Sequence, residues 1–219
     1  MFKRAHLRGR FALYGLAFAL IALPAAAQQP QRDVDYRLIS QQPVATGERV
    51  EVIEFFFYAC PYCNELEPFL ERWRKLKPAD VVFRRVPVVR HDSWVPLAKT
   101  YYALEAMGEA DRLHAAVYHG HHVEDLPLSQ EKVIAEWAAK QGLDRDKFMA
   151  IYRSDAIREK VERSRQMTTN YDIKGTPSVV VDGRYLTSSG MTSSVPQVIP
   201  VLDGLLGLAR QQRLAASGK

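Results

Sequence analysis

Residues 50–77, VEVIEFFFYACPYCNELEPFLERWRKLK, constrain this chain more than any other part of it: a buried strand, a two-cysteine turn and an amphipathic helix follow one another without a break. From Val50 to Tyr58 the residues are β-branched and aromatic with no breaker, as in a central strand covered on both faces. Beyond Cys60, the residues Leu66, Phe69, Leu70 and Trp73 recur at helical spacing, with Glu and Arg on the other face. A helix therefore starts at Cys60, and whatever chemistry the chain performs sits at that turn.

The placement sets the reactivity of the two sulfurs. Cys60 is at the N-cap and Pro61 at the first helical position, where its missing N–H costs nothing, while Tyr62 and Cys63 supply free backbone donors. Those donors and the positive end of the helix dipole favour a thiolate at Cys60, so its pKa is expected well below about 8.5. Cys63, one turn further in, is expected to be buried and protonated. Three-residue spacing at a helix start puts both sulfurs within bonding reach, so the pair can cycle between dithiol and disulfide without refolding. Half of a zinc site is the competing reading of C-x-x-C, but zinc takes four ligands and these are the only two cysteines in the chain. A purely structural disulfide is the other, and so short a loop restrains the unfolded chain little.

The N-terminus sets the compartment. Met1 to Arg10 carries Lys3, Arg4, Arg8 and Arg10 and no acid, Phe11 to Leu23 is apolar, and Ala25-Ala26-Ala27 offers a small-residue cleavage site. Residues 1–27 read as a secretory signal peptide cut after Ala27; the apolar run is short of the roughly 20 residues a membrane anchor needs. Cleavage removes four of the 30 basic residues and none of the 25 acidic ones, leaving 26 against 25. The high pI is thus largely a targeting feature. No basic patch with interleaved aromatics suggests nucleic acid, and the mature protein is expected in a bacterial periplasm, where two cysteines read as a functional pair.

Along the rest of the chain, Gln28 to Asp33 reads as a disordered lead-in and Tyr36 to Ile39 as a short edge strand. Val81 to Val89 reads as a strand parallel to the first, since a helix connects the two. From Ser93 to Tyr171 the pattern is helical: Pro96 to about Met107, Ala110 to Tyr118 with a stop near Gly120, a helix from Ser129 ended by Gly142, Asp144 to Tyr152, and Asp155 to Thr169. His119, His121 and His122 fall in a turn between helices on this reading, solvated rather than metal-binding, and His91 is left without a role. Val179 to Val181, the turn signal Asp182-Gly183 and Tyr185 to Thr187 form a hairpin. A last helix runs from about Val195 to Leu214, with Gly204 and Gly207 expected to pack closely on the sheet.

Strand, CPYC at a helix start, βαβ, inserted helices and Gly175-Thr176-Pro177 before a ββα ending together resemble the DsbA-type thiol:disulfide oxidoreductases of the thioredoxin superfamily, over essentially the whole mature chain. Gly190-Met191-Thr192 after the hairpin is similar too. The resemblance implies an α/β, thioredoxin-like fold with an inserted all-helical domain: residues 28–88 and 164–219 form the thioredoxin-like part and residues 89–163 the insertion. It implies a cis Pro177 opposite the cysteines, with Thr176 and Pro177 beside Pro61 and Tyr62 where an extended substrate peptide lies. Glu54, six residues before Cys60, matches a family acid beneath the site that exchanges a proton with Cys63; a surface acid on a half-exposed strand is the plainer alternative. The departure is at Tyr62, where the best-known member carries histidine.

The resemblance further implies an enzyme that donates a Cys60–Cys63 disulfide to reduced exported polypeptides through a mixed disulfide, acts as a monomer, uses no metal or organic cofactor, and is reoxidised by a DsbB-type membrane quinone reductase. A reductase or isomerase of the same fold, and a peptide-binding chaperone with an incidental disulfide, are the alternatives. Isomerases of the superfamily commonly carry an N-terminal dimerisation domain, and only about 20 mature residues precede the central strand here.

Overall fold

The structure, a computed structural model, describes residues 29–218. The expected signal peptide lies outside the described residues. Five strands, β1 (Arg37–Leu38), β2 (Val50–Phe56), β3 (Val81–Pro87), β4 (Ser178–Val181) and β5 (Tyr185–Ser188), form one sheet in the order β1-β5-β4-β2-β3. β2 and β3 are parallel, joined by helix α1 (Pro61–Leu76), and the remaining pairs are antiparallel. A right-handed crossover through a helix is the usual way to join parallel neighbours, and Asp182-Gly183 turns β4 directly into β5 with positive φ at both residues.

β2 is buried along its whole length, as its composition requires. The strand period of two divides it. Val50 and Val52 pack with Leu66, Leu70 and Trp73 of α1 and with Val198, Leu202 and Leu205, while Ile53 and Phe55 pack on the opposite face with Val86, Val88, Tyr171 and Ile173. Glu54 shares the parity of Val52, so its carboxyl sits on the α1 side of the sheet, among side chains that offer water no access.

Between β3 and β4 come α2 (Val95–Ala106), α3 (Ala110–His122), α4 (Glu131–Lys140), α5 (Arg145–Tyr152) and α6 (Asp155–Asn170). Asp144 caps α5 through the Lys147 amide at 2.9 Å, and the Ser154 hydroxyl caps α6 at the Ile157 amide. Their core is continuous with the active-site turn: Phe56, Tyr58 and Cys63 share one buried cluster with Tyr101, Leu104, Val117, Tyr118, Trp137 and Phe148. Helix α7 (Val198–Ala216) closes the sheet, after a short 3-10 turn over Val195–Gln197. No helix among the described residues is long and apolar enough to cross a membrane.

Three expectations fail locally. The HGHH segment is the last turn of α3, not a loop, because Gly120 sits against Trp137 and Leu128, where a Cβ would come within 3.1 Å of the indole nitrogen. The small residue serves packing and the helix runs through it. Gly204 faces Pro30 rather than the sheet, with an ideal Cβ only 2.5 Å from the proline ring, and Gly207 has no close neighbour. Pro30 and the Arg32 to Tyr36 bridge thereby belong to the ordered fold, where a disordered lead-in was expected.

Candidate active site

Helix α1 begins where β2 ends. Cys60 holds extended backbone angles (φ −85°, ψ 119°), Pro61 takes the first helical position, and the Asn64 amide bonds the Cys60 carbonyl at 3.1 Å to start the helical ladder. Both cysteines are free thiols; Cys60 is half-buried and Cys63 fully buried. The Cys60 thiol donates to the main-chain carbonyl of Thr176 at 3.2 Å, which brings the GTP segment, 116 residues away in the chain, over the active-site turn. The Thr176–Pro177 peptide is cis. Tyr62 points outward and is 57 % exposed, and Pro61 is exposed beside it.

The two thiols are driven apart in acidity. Cys60 is lowered to about 6, first by a hydrogen bond from the Cys63 side chain, against the opposing effect of partial burial, and then by the Thr176 side chain and the amides of Cys63 and Tyr62. The helix-start amides thus contribute, but the second thiol contributes more than they do. Cys63 is raised well above its ordinary value by burial, and the hydrogen bond it gives to Cys60 and a charge on Glu54 push it the same way. One sulfur is poised as nucleophile and leaving group, and the other is held protonated beneath it.

Glu54 is fully buried, which excludes the alternative of a surface acid. Burial raises its pKa, and the charge on Arg85 opposes the shift. Arg85 stands directly opposite Glu54 in the β2–β3 register and donates to it at 2.9 Å. The same guanidinium reaches both oxygens of Glu67 at 3.2 Å and Glu71 at 3.5 Å, and Glu71 is itself chelated by Arg74 at 2.7 and 2.9 Å. Burial lifts Glu67 to about 7 despite Arg85, whereas the Arg74 hydrogen bond holds Glu71 down at about 2.

His114 of α3 completes the cluster, with Nδ1 2.8 Å from the Tyr58 hydroxyl and Nε2 3.4 Å from Glu67. Burial first, and Arg85 second, hold it neutral with a pKa of about 3. Ligand atoms of Glu54, Glu67 and His114 lie within 4.8 Å of one another, the spacing of a metal site, but the Arg85 guanidinium already supplies the positive charge between the carboxylates.

Arg85, Glu67 and His114 escape the sequence reading. Two arginines inside VVFRRVPVV were a signal that the strand meets buried acid, whereas Glu67 reads as one of several solvent-facing acids of α1, and nothing local marks His114. Of the histidines that were weighed, His122 donates from Nε2 to the Tyr58 carbonyl at 2.8 Å and so ties the end of α3 to the loop that carries Cys60. His119 faces Glu124 at 3.4 Å. His91 lies edge-on to Trp94, whose indole stacks flat on Phe57 at 3.9 Å between centroids.

The chain is similar to known proteins over most of its length. A family model described as a DSBA-like thioredoxin domain matches residues 90–197. The thiol:disulfide interchange protein DsbA of Burkholderia cepacia is 37 % identical over 201 residues, which cover 91 % of this chain and 94 % of that protein. Among solved structures, Pseudomonas aeruginosa DsbA superposes with a TM-score of 0.76 at 30 % identity, covering 86 % of this chain and 97 % of that one. The oxidoreductase DsbA of Xylella fastidiosa gives 0.75 at 27 % identity, over 81 % and 96 %. With its thioredoxin-like sheet, its helical insert and its paired cysteines at the start of α1, this chain belongs to the DsbA family of thiol:disulfide oxidoreductases.

Proposed function

We propose that the protein is a dithiol oxidase: it donates a Cys60–Cys63 disulfide to reduced polypeptides exported to the periplasm. The observation that carries this reading is the split between the two thiols, Cys60 lowered to about 6 and reachable, Cys63 raised and buried. A substrate thiolate attacks Cys60 Sγ, the Cys60–Cys63 bond breaks, and its electron pair goes to Cys63 Sγ, which takes a proton from Glu54. A second substrate thiolate then attacks the substrate sulfur of the mixed disulfide. Cys60 leaves as a thiolate, and the groups that stabilise that thiolate favour the reduced enzyme and make the disulfide oxidising.

In this reading Thr176 and Pro177 line one side of the substrate peptide, and Pro61 and Tyr62 the other. The Thr176 carbonyl, within 3.2 Å of Cys60 Sγ, is the main-chain acceptor an extended peptide would use. Residues 28–88 and 164–219 form the thioredoxin-like redox domain, with residues 89–163 as its helical insertion. The signal peptide, residues 1–27, directs export. The protein works as a monomer and returns its electrons to a DsbB-type membrane quinone reductase, with no metal or organic cofactor.

Equilibration with glutathione, read by tryptophan fluorescence, tests the direction of electron flow. An oxidase equilibrates at a potential well above that of thioredoxin, near −270 mV, and about 30 mV corresponds to 1.4 kcal/mol for this couple. A potential at or below the thioredoxin value, or oxidation of reduced model substrate no faster than by oxidised glutathione alone, overturns the proposal in favour of a reductase.

A further inference from the structure

Under the oxidase reading, Cys63 gains a proton each time the disulfide is spent, and Glu54 as its donor must be resupplied. Glu54 is fully buried and cannot meet water. Its Oε2 is occupied by Arg85, while Oε1 has no hydrogen-bond partner among the described residues. His114 is equally buried and its Nε2, likewise without a hydrogen-bond partner, lies 3.4 Å from Glu67 Oε2, while a ring nitrogen of His114 and one carboxylate oxygen each of Glu54 and Glu67 lie within 4.8 Å of one another. Three proton-bearing groups thus meet at one point in the core.

Charge in this cluster requires a proton there. Glu54 and Glu67 share one guanidinium, since Arg74 is taken by Glu71, so with both acids ionised the core would hold an unbalanced negative charge. An unbalanced charge in so dry a place costs several kcal/mol and is relieved by protonation. Glu67 is where that proton meets solvent: it lines a groove of about 500 Å³ between α1 and α3, together with Asn64, Glu71, Ala115 and Tyr118. The Tyr58 hydroxyl can either donate to or accept from His114 Nδ1, so it supports both neutral tautomers, with Nε2 facing the carboxylates as donor or as acceptor.

We propose that His114 and Glu67 carry the Cys63 proton between Glu54 and the groove separating α1 from α3, with His114 as the positioning residue that directs the shared proton between the two carboxylates. This rests on the role given to Glu54 above. Each turnover balances: Cys63 takes the proton of Glu54, Glu54 takes that of Glu67 by way of His114 Nε2, and Glu67 takes one from water in the groove. The charged and titratable groups facing His114 are Glu54 on β2, Tyr58 on the following loop, Glu67 and Glu71 on α1, Arg85 on β3, Tyr101 on α2, and Asp111 and Tyr118 on its own helix.

The test is the single-turnover rate of oxidised protein with a reduced model peptide from pH 4 to 9, in His114→Phe, His114→Gln, Glu67→Gln and Glu54→Gln, with the Cys60 thiolate titrated separately in each. The proposal expects His114→Phe and Glu67→Gln to lose the ionisation that does not belong to Cys60 and to slow by ten-fold or more at neutral pH. Cys60 titration should stay within a few tenths of a unit of the unsubstituted value. An unaltered profile in both His114 variants and in Glu67→Gln overturns it. If Glu54→Gln is also unaltered, the role of Glu54 itself falls; if Glu54→Gln alone is altered, only the relay does. A variant that does not fold is replaced by an infrared measurement on the unsubstituted protein, whose buried protonated carboxyl band must be present at neutral pH; its absence refutes the shared proton.

Discussion

Cys60 and Cys63 lie one helical turn apart and carry the same side chain, yet their ordinary acidities move in opposite directions. Cys60 is at the helix start, touched by Thr176 and partly wet; Cys63 is closed in by Tyr118 and the insertion core above a carboxylate. Spacing therefore supplies a pair of sulfurs, and the surroundings decide which one attacks. The hydrogen bond between them widens the gap, because what stabilises a thiolate at Cys60 is the proton retained at Cys63.

The largest test of this asymmetry is removal of either sulfur. Cys60→Ser should abolish exchange with substrate thiols. Cys63→Ser, offered a disulfide-bearing peptide or oxidised glutathione, should still form mixed disulfides by attack of an activated Cys60, with one thiolate of the partner leaving, and accumulate them as protein-linked adducts on non-reducing gels. Equal loss of adducts in both variants would mean that the two thiols are interchangeable.

Next in size is the ion cluster below. Arg85→Leu leaves Glu54 and Glu67 buried with no counter-charge, and breaking a buried pair in this way costs about 3–5 kcal/mol. Denaturant melts at pH 7 should show that loss, recovered in part at pH 5, where the carboxylates protonate. A loss below 1 kcal/mol would mean that the cluster is already neutral without Arg85.

The reduced form then has a stability profile that separates the two cysteines. Cys60 falls from about 8.5 unfolded to about 6 folded, so its contribution is full above the unfolded value and is lost as pH falls through 6. Cys63 is raised, so its contribution is full below about 8.5 and is lost as pH rises beyond it. Reduced-form stability relative to oxidised should climb by about 1.4 kcal/mol per pH unit between 6 and 8.5 and turn down above that. At pH 7 the thiolate contributes at most about 1.4 kcal/mol, because solvent reaching the half-buried Cys60 screens its charge, and the loop-entropy relation assigns roughly 2 kcal/mol to so short a disulfide loop. Paired melts across this range check it, and a flat difference would remove the acidity split.

How much of this the sequence could reveal differs between the two halves of the site. The upper half was legible, because strand composition, Pro61 at the first helical position and the C-x-x-C spacing are local. Glu54 was marked only by its match to a family acid six residues before Cys60, with a surface acid left as the alternative, and its burial became plain only in the folded strand. Its partners were not legible: Arg85 reaches it through the register of a parallel pair, and His114 arrives from a helix 60 residues downstream whose own pattern marks only an amphipathic face. The turn expected at His119 to His122 failed for a related reason, since Gly120 answers to Trp137 on another helix.

The smallest expected effect is at Tyr62, between the two sulfurs. Its ring is largely exposed and brings no charge to Cys60, so the low pKa there comes from Cys63, Thr176 and the amides without help from a cation. Tyr62→His adds an imidazole whose ordinary pKa, about 6.5, lies close to the folded value of Cys60. Below that pH the imidazolium favours the thiolate, but above it the charge is gone. Histidine thus acts only in the narrow window where Cys60 itself titrates, and through water. Cys60 should fall by less than about one unit, and the potential should rise by less than about 30 mV, the share one unit of thiolate stabilisation carries in a two-electron couple. Thiolate absorbance in Cys63→Ser, with and without Tyr62→His, measures the shift. A drop of two units or more would show that residue 62, and not the buried side of the turn, controls the attacking sulfur.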